Sequence, residues 1–146
     1  MEVVGAAGRV ADSKEFLVRL RRISAHVIAF DADAVLGRLH LISAWERAKR
    51  AFDRERGMCN HLEMEVICYA AAQRRISAAL SRIGIRDGVE RIALLGPMEE
   101  IEKVLRDMNL RRDDAVIEAN AEKLKRLGLS DPEIIFEQMS LMELGG

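Results

Sequence analysis

The sequence predicts a small α/β (α+β) fold. A mixed sheet of three or four short strands lies under six or more helices, in one domain spanning residues 1–146. Two observations predict it. Short runs rich in β-branched and aromatic residues recur along the chain, each bounded by Gly, Asp or Ser. Between them lie longer segments whose apolar residues step by three and four, as on a helix face. Strands separated by helices imply a small sheet with helical cover.

Glu2 to Ala6 reads as the first strand, ending at Gly8. Ser13 is positioned to cap a helix from Lys14 to Arg22, and His26 to Phe30 (HVIAF) reads as the second strand. Asp31 or Asp33 then caps a long helix to about Phe52, with Leu41, Trp45, Ala48 and Phe52 on one face. Asn60 to Gly84 reads as one continuous central helix. Asn60 and Glu63 form a capping box, and Leu62, Val66, Tyr69, Ile76, Leu80 and Ile83 form its apolar face. Gly84 is expected in the left-handed conformation that ends helices. Arg91 to Leu95 is the third strand, stopped by Gly96. Pro97 opens a helix to Met108 whose first turn carries Glu99, Glu100 and Glu102. Ala115 to Ala119 fits either a short strand or a helical turn. Asn120 caps a helix to Leu127 ended by Gly128, and Asp131-Pro132 opens the last helix, to Leu144.

Composition narrows the function classes. The chain is 49% hydrophobic and 32% charged, the balance of a soluble globular domain. No apolar run is long enough to span a bilayer, and MEVVGAAGRV does not read as a signal peptide. Two cysteines, Cys59 and Cys68, do not make a secreted disulfide framework, so the cytoplasm is the expected location. The formal charge of −1 hides a split. Arg38 to Arg91 carries 11 basic and 7 acidic residues, and the stretch from Ile92 onward carries 7 basic and 12 acidic. A basic middle and an acidic end could serve two partners, or be solvated faces of ordinary helices.

No catalytic, cofactor or metal set emerges. Cys59 and His61 have poor zinc spacing, Cys68 sits in an apolar run, and His40 stands alone. Glu63 and Glu65 open a helix, where the dipole already accounts for them. No phosphate-binding glycine loop, nucleophile elbow or dinucleotide fingerprint is present. The basic residues are more informative. Arg47, Arg50 and Arg54 share a helix face, Arg56 follows, and Arg74 and Arg75 leave the central helix. Antiparallel packing of the two helices could gather them into a phosphate-binding patch. Aromatic residues make up only 4%, too few for a stacking sheet surface. Arg74 could instead pair with Glu65 or Asp33. Ile83 and Ile85, on either side of Gly84, could be core or an apolar knob for a partner. The acidic last third is expected to face away from any RNA.

Several segments taken in order carry a family resemblance. The central stretch reads Asn60, Glu65, a small-residue run, Q-R-R-I-x-x-A-L from Gln73, then I-G-x-x-D-G from Ile83. Ala32-Asp33-Ala34 precedes it, and Val116-Ile117-Glu118-Ala119-Asn120 and Ser140-Leu141-Met142-Glu143-Leu144 follow. Together they resemble the kinase-binding small subunit of the KEOPS tRNA-modification complex, over nearly the whole chain. Arg75 stands where relatives usually have Gln. The resemblance implies a non-enzymatic, cofactor-free subunit. Its partners would be the atypical kinase/ATPase of that complex and the single-stranded acceptor end of tRNA, in support of threonylcarbamoyl-adenosine formation. On this reading Arg47, Arg50, Arg54, Arg56, Arg74 and Arg75 contact RNA, and Ile83, Gly84 and Ile85 contact the kinase. The alternatives are a kinase-binding scaffold without RNA contact, or a small enzyme of unknown reaction. The methionine-rich apolar C-terminal helix leaves room for weak self-association.

Overall fold

The computed structural model describes residues 1–145. The element order is β1 (Glu2–Ala7), α1 (Ser13–Ile23), β2 (Ile28–Asp31), α2 (Arg38–Asp53), α3 (Leu62–Ala71), α4 (Ile76–Ile83), β3 (Arg91–Gly96), α5 (Met98–Asp107), β4 (Arg111–Arg112), α6 (Ala121–Leu127) and α7 (Ile134–Gly145). Two 3-10 turns, Ala32–Ala34 and Asp114–Ile117, complete it. The expected small sheet under many helices is thus observed.

The four strands lie in the order β2-β3-β1-β4. All three pairings are antiparallel, where a mixed sheet was expected. β1 and β2 run the same way, but β3 is inserted between them. Without α2–α4 the order is β-α-β-β-α-β, the split β-α-β pattern, so these three helices are an insertion between β2 and β3.

Strand alternation builds two cores. On one face Val4, Ala29, Ile92 and Leu94 pack with Phe16 and Leu20 of α1 and Ile101 and Val104 of α5. On the other, Val3, Ile28, Phe30, Ala93 and Leu95 meet α2, α3, α4 and α7. α3 is apolar nearly all round, and Glu65 through Ala71 are all buried.

The differences from expectation have local causes. The central segment is two helices. Ala72 adopts φ 53°, ψ 43°, a left-handed residue that ends α3 by accepting the role glycine usually fills. Gly84, by contrast, is extended at φ −75°, ψ 162°. The capping box does not form: His61 precedes α3 without a side-chain cap bond, and Glu63 pairs with Arg21 at 2.8 Å. Asp12, rather than Ser13, caps α1 by accepting from the Glu15 amide at 3.1 Å. Asp31 caps the 3-10 turn, and α2 begins only at Arg38. Ala115 to Ala119 is not a strand; its start lies in the second 3-10 turn, and Arg111–Arg112 forms the fourth strand instead. That turn presses on β1 at Gly5, where any Cβ would collide with the Asp113 carbonyl and the Val116 side chain. Asn120 and Gly128 bound α6 as expected, with Gly128 at φ 70°.

Candidate nucleic-acid and partner surface

α2 displays Arg47, Arg50 and Arg54 at three- and four-residue steps, so all three share one side. The helix ends at Asp53, and the chain turns through Glu55 at φ 56° into the loop that carries Arg56. A buried carboxylate shapes this loop. Glu65, fully buried on α3, accepts from the Met58 amide at 3.1 Å and the Cys59 amide at 2.8 Å. Gly57 lies so close to the Phe52 ring that a Cβ would overlap it. Reading Glu65 as a helix-dipole residue missed this role. An acid directly abutting the apolar run Val66–Ala71 was the available signal.

α7 closes the other side. Glu143 accepts from Arg47 Nη1 at 2.8 Å, and takes Arg50 bidentately, from Nε at 2.8 Å and Nη2 at 2.9 Å. These bonds, Arg50's first, hold the Glu143 carboxyl below the usual carboxylate range. Arg74 donates to the Met142 carbonyl at 3.1 Å and to the Met58 sulfur at 3.7 Å. It meets neither Glu65 nor Asp33. Arg54, Arg56, Met58, Tyr69 and Glu143 line a hollow of about 30 Å³, room for water but not for a base. Arg75 is exposed at the start of α4. The fold therefore gathers Arg47, Arg50, Arg54, Arg56 and Arg74 around one carboxylate. Of the acidic last third, Glu143 sits among these arginines.

Ile83, Gly84 and Ile85 are placed differently from the expected knob. All three are buried: Ile83 belongs to the core under α2–α4, and Ile85 to the core under α1 and α5. The exposed apolar residues of α4 are Ile76 and Leu80, one turn apart, 41% and 38% exposed.

A second charged centre lies at the end of β2. Asp31 Oδ2 accepts from Arg86 at 2.8 Å and Arg126 at 2.9 Å, and Arg91 forks onto Asp33 at 2.7 and 2.8 Å. Beside it Lys123, buried at the wall of a cavity of about 450 Å³, donates to the Val35 carbonyl at 2.8 Å and the Val116 carbonyl at 2.6 Å. Burial brings its amine down to about 8. This ammonium ties the two 3-10 turns together.

His40 and the thiols are structural. His40 is fully buried; Nδ1 accepts from the Leu36 amide at 3.0 Å, and Nε2 donates to the Ala70 carbonyl at 2.7 Å. Both bonds are met by the neutral ring, and burial pushes its pKa down to about 4. Cys59 and Cys68 lie 3.8 Å apart, and burial raises both thiols, Cys68 to about 12. Such thiols are poor nucleophiles. Among the described residues no group of three or more His, Cys, Asp or Glu is placed to hold a metal, and no helix is long and apolar enough to cross a membrane.

The arrangement offers guanidinium forks for an anionic backbone and a nearby apolar helix face for a protein. Among curated proteins, none matches the chain. The family model of kinase binding protein CGI-121 matches residues 9–136, and the chain belongs to that family.

Proposed function

We propose that this protein is a non-catalytic, single-domain subunit of a KEOPS-type complex. It binds the atypical kinase/ATPase, and helps recruit tRNA by holding the single-stranded acceptor end while the adenosine beside the anticodon is modified. Membership of a kinase-binding family supports the first part. The arginine cluster of α2, the following loop and Arg74 supports the second, because planar guanidiniums recognise phosphate bidentately and several on one surface make affinity salt-dependent. The cytoplasm fits both partners.

The observation that carries this reading is the surplus of arginines around Glu143. Arg47 and Arg50 share the Glu143 carboxylate, while Arg54, Arg56 and Arg74 beside them have no carboxylate within ion-pair distance among the described residues. A scaffold without RNA contact remains the second reading, supported by the same carboxylate because it already occupies Arg47 and Arg50.

The kinase contact belongs on the exposed face of α4, at Ile76 and Leu80, with the buried Ile83 anchoring that helix to the core beneath it. Pull-down with the cognate kinase tests it. Ile76→Glu with Leu80→Glu should abolish capture and leave the far-UV circular dichroism unchanged. Ile83→Glu should unfold the chain, since an unpaired charge would enter the core. A folded α4 double variant that still captures the kinase would overturn this placement.

A further inference from the structure

The sequence separates a basic middle from an acidic end, and the fold brings one residue of the acidic end into the middle of the basic cluster. Glu143 lies 96 positions from Arg47 and 93 from Arg50 in sequence. Its two oxygens take three N–H groups at 2.8–2.9 Å. Nε and Nη2 of Arg50 form the parallel fork that a guanidinium also offers to a phosphate. Arg47 is held a second time, by Ser43 Oγ at 3.2 Å from Nε, so its orientation survives loss of the carboxylate. Arg54 and Arg56 line the same hollow as Glu143, and among the described residues neither has a carboxylate within ion-pair distance.

We infer that Glu143 is a built-in competitor for phosphate: α7 docks its carboxylate where a phosphate of a single-stranded polynucleotide would bind, and that polynucleotide must displace it to engage Arg47 and Arg50. The inference rests on the RNA-binding reading above and adds a regulation to it. Entry proceeds in two stages. Arg54 and Arg56 meet the polyanion first, and Arg47 and Arg50 join once Glu143 leaves. Displacement is feasible because the Arg50 side of the contact is open to water: the side chains of Arg50 and Glu143 are 43% and 20% exposed, while Arg47, 18% exposed, keeps its bond to Ser43 when the carboxylate leaves. The final turn of α7 is lightly seated beyond Met139, with Leu141 and Leu144 on the surface and Met142 buried between them. A weak anion such as a mononucleotide gains too few contacts to open the clamp, whereas a strand with several phosphates does. Glu143 thus favours polyanions over single phosphates.

The test is fluorescence anisotropy with a short dye-labelled single-stranded RNA across a salt series. Freeing two guanidiniums in Glu143→Gln should raise affinity roughly tenfold at low salt and leave the log–log salt slope nearly unchanged, because the parent, once Glu143 is displaced, makes the same phosphate contacts. Glu143→Met should behave alike, which separates loss of charge from a new amide bond. Neither substitution should change affinity once Arg47→Gln and Arg50→Gln are present. Folded Glu143 variants that bind like the parent overturn the competitor, while a loss of affinity in Arg54→Glu with Arg56→Glu keeps the RNA surface. If that second pair also binds like the parent, the RNA reading itself fails. Should the Glu143 variants fold poorly, the Arg50 Nε–H resonance of the parent decides. It must shift on RNA addition in step with binding, and an unmoved resonance at saturation overturns the proposal.

Discussion

Two places in this molecule join arginines to a carboxylate, and they differ in kind. At Asp31 the carboxylate is buried, with its side chain 4% exposed, and Arg86 and Arg126 converge on one of its oxygens while the Asp33 amide takes the other. That junction ties β2 to the segment before β3 and to α6. At Glu143 the carboxylate is 20% exposed and joins α7 to α2 only, amid further arginines that lack an acid. The same fork is a fastener in the first case and a surface in the second. Burial of the acid and the ratio of cations to anions separate the two roles, not the residue types.

The comparison breaks first on stability. Asp31→Ala should cost about 2–3 kcal/mol in urea unfolding, because the Asp33 amide and two guanidiniums lose a buried acceptor, though the arginine side chains, 46% and 36% exposed, regain water. Comparable loss in Glu143→Gln would erase the distinction, since a carboxylate that keeps contact with water, beside an Arg50 that is 43% exposed, should cost only about 1 kcal/mol.

Acid sharpens it next. His40 is held neutral, with its pKa pushed down from 6.5 to about 4. The unfolded chain therefore binds the proton more readily between those values. Stability is full above the ordinary value and falls as pH drops toward 4, by about 3 kcal/mol in all. Urea midpoints measured across that range should fall steeply in the parent, and much less in His40→Asn, which starts lower. A flat profile in the parent would mean that the ring is not held by the Leu36 and Ala70 bonds.

The smallest effect on the fold is expected at the free arginines. Arg54→Glu with Arg56→Glu should leave the melting temperature within a degree or two, since surface changes of this sort cost about 0.5 kcal/mol or less. The same pair should weaken tRNA binding roughly tenfold or more and flatten its salt slope by about 1–2 units. Stable protein with undiminished, salt-steep binding would make the two junctions alike after all.

The sequence made most of the scaffold legible, for reasons that can be named. Val3-Val4, Ile28-Ala29-Phe30 and Ile92 to Leu95 are β-branched or aromatic runs beside Gly and Asp, and each became a strand. Asn120 and Gly128 bound α6 because a cap side chain and a left-handed glycine are local chemistry. What stayed hidden depends on packing. Nothing local to Ala72 announces a left-handed residue, since alanine favours helix. The break comes instead with α3 sealed on all sides: Gln73 donates its amide to the Cys68 carbonyl, and the polar Gln73-Arg74-Arg75 turns outward. The arginine face of α2 was readable from spacing, but its counter-charge lay more than ninety positions away. Ile83 and Ile85 looked like a helix-end knob because a single sequence cannot tell a side chain facing a second core from one facing solvent.

The strand order also dictates how the chain can assemble. Leu94 of β3 sits between Val4 of β1 and Ala29 of β2, so neither early strand has its main partner until some ninety residues of chain exist. During synthesis β1, α1, β2 and the three inserted helices emerge with two unpaired strand edges and apolar residues on both faces. Such distant pairings close late and slow the search. A chain stopped before Arg91 therefore has no sheet to form and presents sticky edges, and substitutions in β3 tax the rate of folding as well as its end point.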